Sequence, residues 1–327
     1  MAMLIPPRQR GAAIITALLV VLLAATLAAY LLSQQSQALT RTARGLDRAQ
    51  AMLFVPPMLQ WTRSALFEFQ KNNTSVDLSQ RWAQPIAVQP LEGASASGFF
   101  RDESGRFNVN NLLKDDGARS EPDIIVFKNL LENLKLNPEL AHALVDWIDA
   151  DSETTFPGGA EDATYLAKSP PYRAANQRML QIDELARVAG FDNAALAALR
   201  PFITALPERS KININTAPEE VIHAALPELD NAGLSELLKR RLSQPFKSLA
   251  DDAKTPGTKG VKSYLKDVPP EKIDQLIDVN SRHFLVALGI TAGDTKIHQS
   301  ALLQRVPTNA ANKNAEAWPR IIWVKDD

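Results

Sequence analysis

Apolar residues in this chain fall first into one unbroken block and then into short periodic sets. Between residues 12 and 32 only Thr16, Thr26 and the Tyr30 hydroxyl interrupt an apolar run of 21 residues. At about 1.5 Å of rise per helical residue, such a run matches a hydrocarbon core roughly 30 Å thick. Arg8 and Arg10 precede it, and the polar Ser33-Gln34-Gln35-Ser36-Gln37 follows without a small-residue cleavage site. The pattern predicts a transmembrane helix. Basic residues on its N-terminal side predict a single-pass inner-membrane protein, cytoplasmic at the N-terminus and periplasmic for the rest.

Nearly 300 residues follow, enough for domains with cores of their own. The helical period continues through residues 38–50, with Arg41, Arg44 and Arg48 on one polar face. Pro56-Pro57 then predicts a break or kink near Val55, because proline removes hydrogen bonds and pushes the preceding residue out of the helical region. A second helix over residues 58–70 would set Trp61, Ala65 and Phe69 on one face. Short segments at 85–91, 97–102 and 106–108 read as strands, with Ser104-Gly105 as a turn.

From Glu121 to about Asn280 the pattern is helical. Phe127, Leu130, Leu131 and Leu134 mark one helix, and Leu140, Leu144, Val145 and Ile148 a second opened by Asn137-Pro138. Residues 180–189 and 194–199 read as a further pair around Gly190. The segment Ile212-Asn213-Ile214-Asn215-Thr216-Ala217-Pro218-Glu219-Glu220 opens another, with Thr216 as its expected cap and Pro218 in its first turn. Its two glutamates meet the positive end of the helix dipole. Strands return at 284–288, 297–306 and 320–324. The prediction is an α+β chain in which an all-α domain interrupts a sheet domain.

Composition narrows the chemistry. A net charge of −1 gives no global field toward nucleic acid or anionic lipid. With no cysteine, the chain holds no disulfide, thiolate zinc site or thiol nucleophile. The four histidines, His142, His223, His283 and His298, stand singly and read as surface or partly packed residues. There is no G-x-S-x-G elbow and no phosphate-cradling glycine loop. The pairs Asp251-Asp252 and Glu219-Glu220 are adjacent, so on a helix they diverge, and Asp251-Asp252 fits a turn cap. No enzymatic activity is expected. The acidic cluster is different: Asp146, Asp149, Asp151 and Glu153 precede Gly158-Gly159, and Glu161 and Asp162 follow. Oxygen-rich, histidine-free and borne on a loop, it suits calcium, with Asp149, Asp151, Glu161 and Asp162 as candidate ligands. A solvated loop in which Asp149 or Asp151 caps a turn fits the same residues. Thr154 and Ala160 occupy the positions where an EF-hand needs glycine and a bidentate glutamate, so the loop is not one.

Basic residues, then Gly11, then the apolar helix resemble the type III signal of type IV pilins and type II secretion pseudopilins. In those proteins prepilin peptidase cuts after the glycine, which here would leave Ala12 as the new N-terminus. An uncleaved anchor with an incidental Gly11 fits the same residues. Thr16 stands where pilins and major pseudopilins carry a glutamate that meets the neighbouring subunit's N-terminal amine, and its absence resembles the K-type minor pseudopilins. The phrase from Gly98 through Phe107-Asn108-Val109-Asn110-Asn111-Leu112 resembles the first strands of that family. Gly158-Gly159-Ala160-Glu161-Asp162, with Tyr165 and then Tyr172-Arg173 and Asn176, resembles a family loop whose carboxylates bind calcium in some members.

On these residues the chain is identified as a member of the general secretion pathway protein K family. The resemblance implies a leader (1–11), a transmembrane helix (12–32), and a pseudopilin helix with first strands (33–118). It further implies an inserted α-domain of helix-hairpin-helix-like, SAM-like units (119–280) and closing strands (281–327). It implies a minor pseudopilin at the tip of the type II secretion pseudopilus, nucleating and capping the filament that drives protein export across the outer membrane. The implied partners are the I- and J-type minor pseudopilins, the pseudopilus, prepilin peptidase and the inner membrane.

Residues 212–227 also resemble the helix-hairpin-helix of DNA-binding competence proteins, which present backbone N–H groups to phosphate. The hairpin here is Leu226-Pro227-Glu228-Leu229-Asp230, acidic where glycines belong. Between Lys211 and Lys262 eight basic residues meet seven acidic ones, which is no nucleic-acid footprint. Nucleic acid is therefore not an expected partner, and a membrane-anchored DNA-uptake or receptor protein is the competing reading. An adhesive minor pilin would share the leader but calls for a disulfide-bearing C-terminal region.

Overall fold

A computed structural model describes residues 10–251, 259–306 and 318–327. Arg8 with the rest of segment 1–9, and Asp252 and Lys254 of the 252–258 segment, lie outside the described residues. Helix α1 (Arg10–Leu53) and helix α2 (Val55–Asn72) are separated by Phe54 alone. The expected break at the diproline is thus one residue long. Pro56 and Pro57 fall in the first turn of α2, where a missing N–H costs no intrahelical bond, and Met58 N still donates to Phe54 O at 3.1 Å.

Every described residue of α1 from Ala13 to Leu46 is exposed. The helix docks by its last turns, where Ala51 is buried and Gln50 Nε2 donates to Glu92 O at 3.2 Å. The buried stripe of α2 is Val55, Met58, Leu59, Thr62 and Leu66. Trp61, Ala65 and Phe69 share one face of α2, as expected, and Trp61 on it is 45% exposed. Together the three line an open groove.

Strand β1 (Ile86–Leu91) pairs antiparallel with β2 (Ala94–Asp102). The chain then leaves the sheet through β3 (Phe107–Asn108), α3 (Glu121–Asn133), α4 (Leu140–Ile148), α5 (Asp162–Leu166) and α6 (Asn193–Leu199) to β4 (Ile203–Thr204). A second pass runs from β5 (Ile212–Asn213) through α7 (Glu219–Ala225), α8 (Asn231–Ser243) and α9 (Pro270–Leu276) to β6 (Ile277–Asp278). It returns as β7 (His283–Ala292), β8 (Thr295–Gln304) and β9 (Arg320–Asp326), and the sheet order is β1-β2-β7-β8-β9.

Segment 106–108, expected beside the first strands, pairs instead in parallel with β4, as β5 pairs in parallel with β6. Each helical pass therefore begins and ends on its own two-stranded ribbon. Segment 180–189 is a short 3-10 turn (Ile182–Arg187), because Asn110 holds the Met179 backbone on one side and Val188 is extended and buried on the other. One apolar cluster fills the helical layer, stacking Phe107 on Phe127 at 5.4 Å. A second lies under the sheet, where Trp82 meets Phe284 edge-on at 5.2 Å.

Candidate metal centre

Helix α4 is apolar on most of its surface and wholly buried from Ala143 to Ile148, which carries Asp146 into the core and leaves Asp149 at its C-cap. Asp146 is fully buried and accepts from Thr155 N at 2.9 Å and from the Thr155 hydroxyl. This folds residues 149–161 back over the helix end. Gly159 sits where an added Cβ would lie 2.3 Å from Asp146 Oδ2 and from Thr155 O, so the loop closes this tightly only without a side chain there. Arg119 reaches in from the turn before α3 and donates to Asp149 Oδ2 through Nη2 at 3.0 Å and Nε at 3.1 Å.

Carboxylate oxygens of Asp149, Asp151 and Glu161 lie within 4.8 Å of one another. Asp149 and Glu161 are buried, and Asp151 is exposed at the mouth, where its Oδ1 accepts from Glu153 N at 2.8 Å. Asp149 Oδ1 and both oxygens of Glu161 are buried without a hydrogen-bond partner. Burial, then the charges of Asp146, Asp149 and Asp151, push the Glu161 carboxyl up to about 7. Burial also raises Asp149, against the pull of Arg119. Three converging carboxylates with three unspent oxygens fit a hard cation with oxygen ligands better than they fit a solvated loop.

Not every expected residue joins the group. Asp162 turns to the other side of the loop, accepting from Ala174 N at 3.0 Å and facing Arg173 at 3.2 Å. Thr16, within exposed α1, donates its hydroxyl to Ala13 O at 3.0 Å, and Gly11 and Ala12 fall in the first turn of that helix.

The asparagine-rich phrases are interior clamps. Asn110 Nδ2 donates to Met179 O and Leu206 O, both at 2.8 Å, while its Oδ1 accepts from Met179 N. Asn215 repeats the arrangement on Phe246 and adds Val76 O at 3.2 Å. Thr216 does not cap α7. Its hydroxyl donates to Asp102 Oδ2 at 2.6 Å, and Pro218 holds the N-cap position of the helix. Asp102 also accepts from Ser281 Oγ at 2.6 Å and Asn213 Nδ2 at 3.0 Å, tying the end of β2 to the second helical pass. In the hairpin 226–230, Glu228 is taken by Lys272 at 2.6 Å, and Asp230 caps α8 on Gly233 N. His283, read as a surface or partly packed residue, is instead 1% exposed.

Comparison with known proteins follows these boundaries. Two family profiles, each described as "Type II secretion system (T2SS), protein K", match residues 105–208 and 212–274, one for each helical pass. The type II secretion system protein K of Aeromonas hydrophila is 31% identical over 92% of this chain and 95% of its own length. That of Pectobacterium carotovorum is 32% identical over 90% and 92%. Among solved structures, a chain of the GspK-GspI-GspJ complex from enterotoxigenic Escherichia coli superposes with a TM-score of 0.70 at 25% identity, covering 88% of this chain and 99% of that one. The sheet that closes around two helical passes, the long N-terminal helix and these relatives agree: the chain belongs to the type II secretion system protein K family.

Proposed function

We propose that this chain is the minor pseudopilin at the tip of a type II secretion pseudopilus, where it nucleates and caps the filament with I- and J-type partners. The observation that carries the reading is the exposed length of α1. Its described apolar residues, 13–32, are uncovered, and from Leu32 at the end of that run Leu39, Leu46 and Leu53 follow every seven residues, at 67%, 65%, 67% and 74% exposure. Regularly spaced apolar residues on an uncovered helix leave a surface that a neighbouring helix can cover. The solved relative is a chain of a GspK-GspI-GspJ complex, which supports the same partners here. Prepilin peptidase would cut between Gly11 and Ala12, and α1 would hold the chain in the inner membrane with its C-terminal layers in the periplasm. Thr16 offers no carboxylate to a subunit above, which suits a terminal position.

Asp149, Asp151 and Glu161 would hold a calcium ion, whose charge would neutralise the converging carboxylates and fix the 149–161 loop to the end of α4. This assigns the protein to assembly and gives it no catalytic step. The test is co-purification of the full chain with the I- and J-type pseudopilins of the same cell. A stoichiometric complex is expected, and its absence with or without calcium would overturn the reading in favour of a receptor or DNA-uptake role.

A further inference from the structure

Apart from the acidic loop, the described residues enclose a polar cleft of about 400 Å³ where the chain crosses between sheet and helical layers. Three crossings build it: residues 208–211 between the two helical passes, residues 278–283 leading into β7, and Arg305 at the end of β8. We propose that this cleft binds a small oxyanion between Ser210, Lys211, His283 and Arg305.

The case rests on donors without acceptors. Arg305 is 7% exposed and spends Nη1 on Asn280 Oδ1 and Ser281 O, while its Nε is buried without a partner. The Ser210 hydroxyl is likewise buried without a partner, as is the single N–H that a neutral His283 ring carries, with Nε2 of that ring 3.9 Å from Glu208 Oε1, and all three residues line the cleft. A buried donor left unsatisfied costs about 1–3 kcal/mol, and more if charged, so a cleft that gathers several calls for an acceptor-rich ligand. The acids on its wall are already spent. Glu208 accepts from Arg282 at 3.2 Å and Gln304 at 3.1 Å, and Asp278 accepts from Val279 N and Asn280 N within its own turn. Arg209 is committed to Asp123 at 2.7 Å, whereas Lys211 stands exposed at the rim.

Burial pushes the Arg305 guanidinium down to about 10, with Asp102 the charge that opposes this, and the group lies over the Phe69 ring at 5.4 Å, so its unpartnered Nε is the edge at which a second anion would be favourable. The space exceeds one phosphate and accommodates either a hydrated tetrahedral anion or a carboxylate from a polypeptide. Both present the same chemistry to the same donors.

Calorimetric titration of the full chain in detergent tests this, with ionic strength held constant by chloride. Two probes are used: inorganic phosphate and the capped dipeptide acetyl-Asp-Asp-amide. Saturable binding of phosphate points to a free anion, and binding of the peptide alone points to a partner's acidic segment. Either is expected to weaken at least about fivefold in Lys211→Met and to persist in Lys211→Arg, since Lys211 is a rim residue whose replacement leaves the core intact. Absence of saturable binding by both probes, or binding unaltered by Lys211→Met, overturns the assignment.

Discussion

Asn215 closes a two-point clamp on the backbone of Phe246, its Nδ2 donating to the carbonyl and its Oδ1 accepting the N–H, both at 2.9 Å. Asn110 makes the same clamp on Met179 in the first helical pass, at 2.8 and 2.9 Å. In each pass the asparagine two residues earlier, Asn213 or Asn108, accepts from the clamp residue's own N–H, which sets the bend that aims the side chain inward. The phrases Phe107-Asn108-Val109-Asn110 and Ile212-Asn213-Ile214-Asn215 are thus one device used twice.

Replacing Asn215 with leucine keeps the approximate volume but strands a buried N–H and a buried C=O at Phe246, together with a carbonyl at Val76. The expected loss is about 3 kcal/mol of unfolding free energy. Denaturant unfolding of the full chain in detergent measures it, and a loss below about 1 kcal/mol would show that the clamp is ornamental.

Two buried groups give the pH profile opposite slopes. Burial lifts Asp102 to about 6 despite its hydrogen bonds from Ser281, Thr216, Ser104 and Asn213. A raised carboxyl favours the native state in its protonated form. Its contribution is full below the unfolded value of 3.8 and is lost as pH rises through 6. Burial lowers His283 to about 4, and its contribution is full above 6.5 and is lost as pH falls through 4. Each amounts to up to about 3 kcal/mol at 1.36 kcal/mol per pH unit. Between pH 3.5 and 7, the stability advantage of wild type over Asp102→Asn is expected to shrink, and its advantage over His283→Phe to grow. Parallel profiles for wild type and both variants would refute these assignments.

Much of the architecture is legible along the chain, for reasons that remain local. The apolar run of α1 and the existence of β7, β8 and β9 announce themselves through period, although 284–288 falls short of β7 and 297–306 runs past the end of β8. Sites decided by distant partners do not. Thr216 has the right identity and position for a cap, yet its hydroxyl goes to Asp102, 114 residues away. Segment 106–108 has strand character, but nothing near it says that its partner is β4 rather than β2. His283 is a lone histidine in sequence and is buried at the start of β7, where its strand partner is Gln304 of β8, 21 residues away. The acidic loop shows the same limit at one position. Composition groups Asp162 with its neighbours, whereas the helix it opens turns its carboxylate to Ala174. The doubled asparagine phrase was the available signal for the clamps, since an apolar-Asn-apolar-Asn repeat recurring 105 residues later has no use on a solvated surface.

The acidic loop makes a prediction that separates its members. Calcium at about 100 times its dissociation constant should stabilise the wild type by about 2.7 kcal/mol through mass action. Glu161→Gln should lose most of that gain, because it removes a buried ligand charge, while Asp162→Asn should retain it. Thermal unfolding with calcium and with a chelator decides the matter. An equal response from both variants would place the ion elsewhere or nowhere on this loop.

Thr16 carries the last prediction. In α1 its hydroxyl is satisfied by Ala13 O at 3.0 Å, so the residue rests in an apolar environment without needing a partner. A glutamate there would place a carboxylate within the membrane-length run, at a cost of up to about 3 kcal/mol when unpaired. That cost falls if an approaching subunit supplies a positive N-terminal amine. Thr16→Glu should therefore permit addition above the tip, lengthening filaments and lowering export of cargo, while insertion of the chain in the membrane persists. Filament length and secreted protein are the readouts, with Thr16→Gln as the uncharged control. Normal export and unchanged filaments in Thr16→Glu would mean that the bulk of the helical layers caps the tip without help from the missing charge.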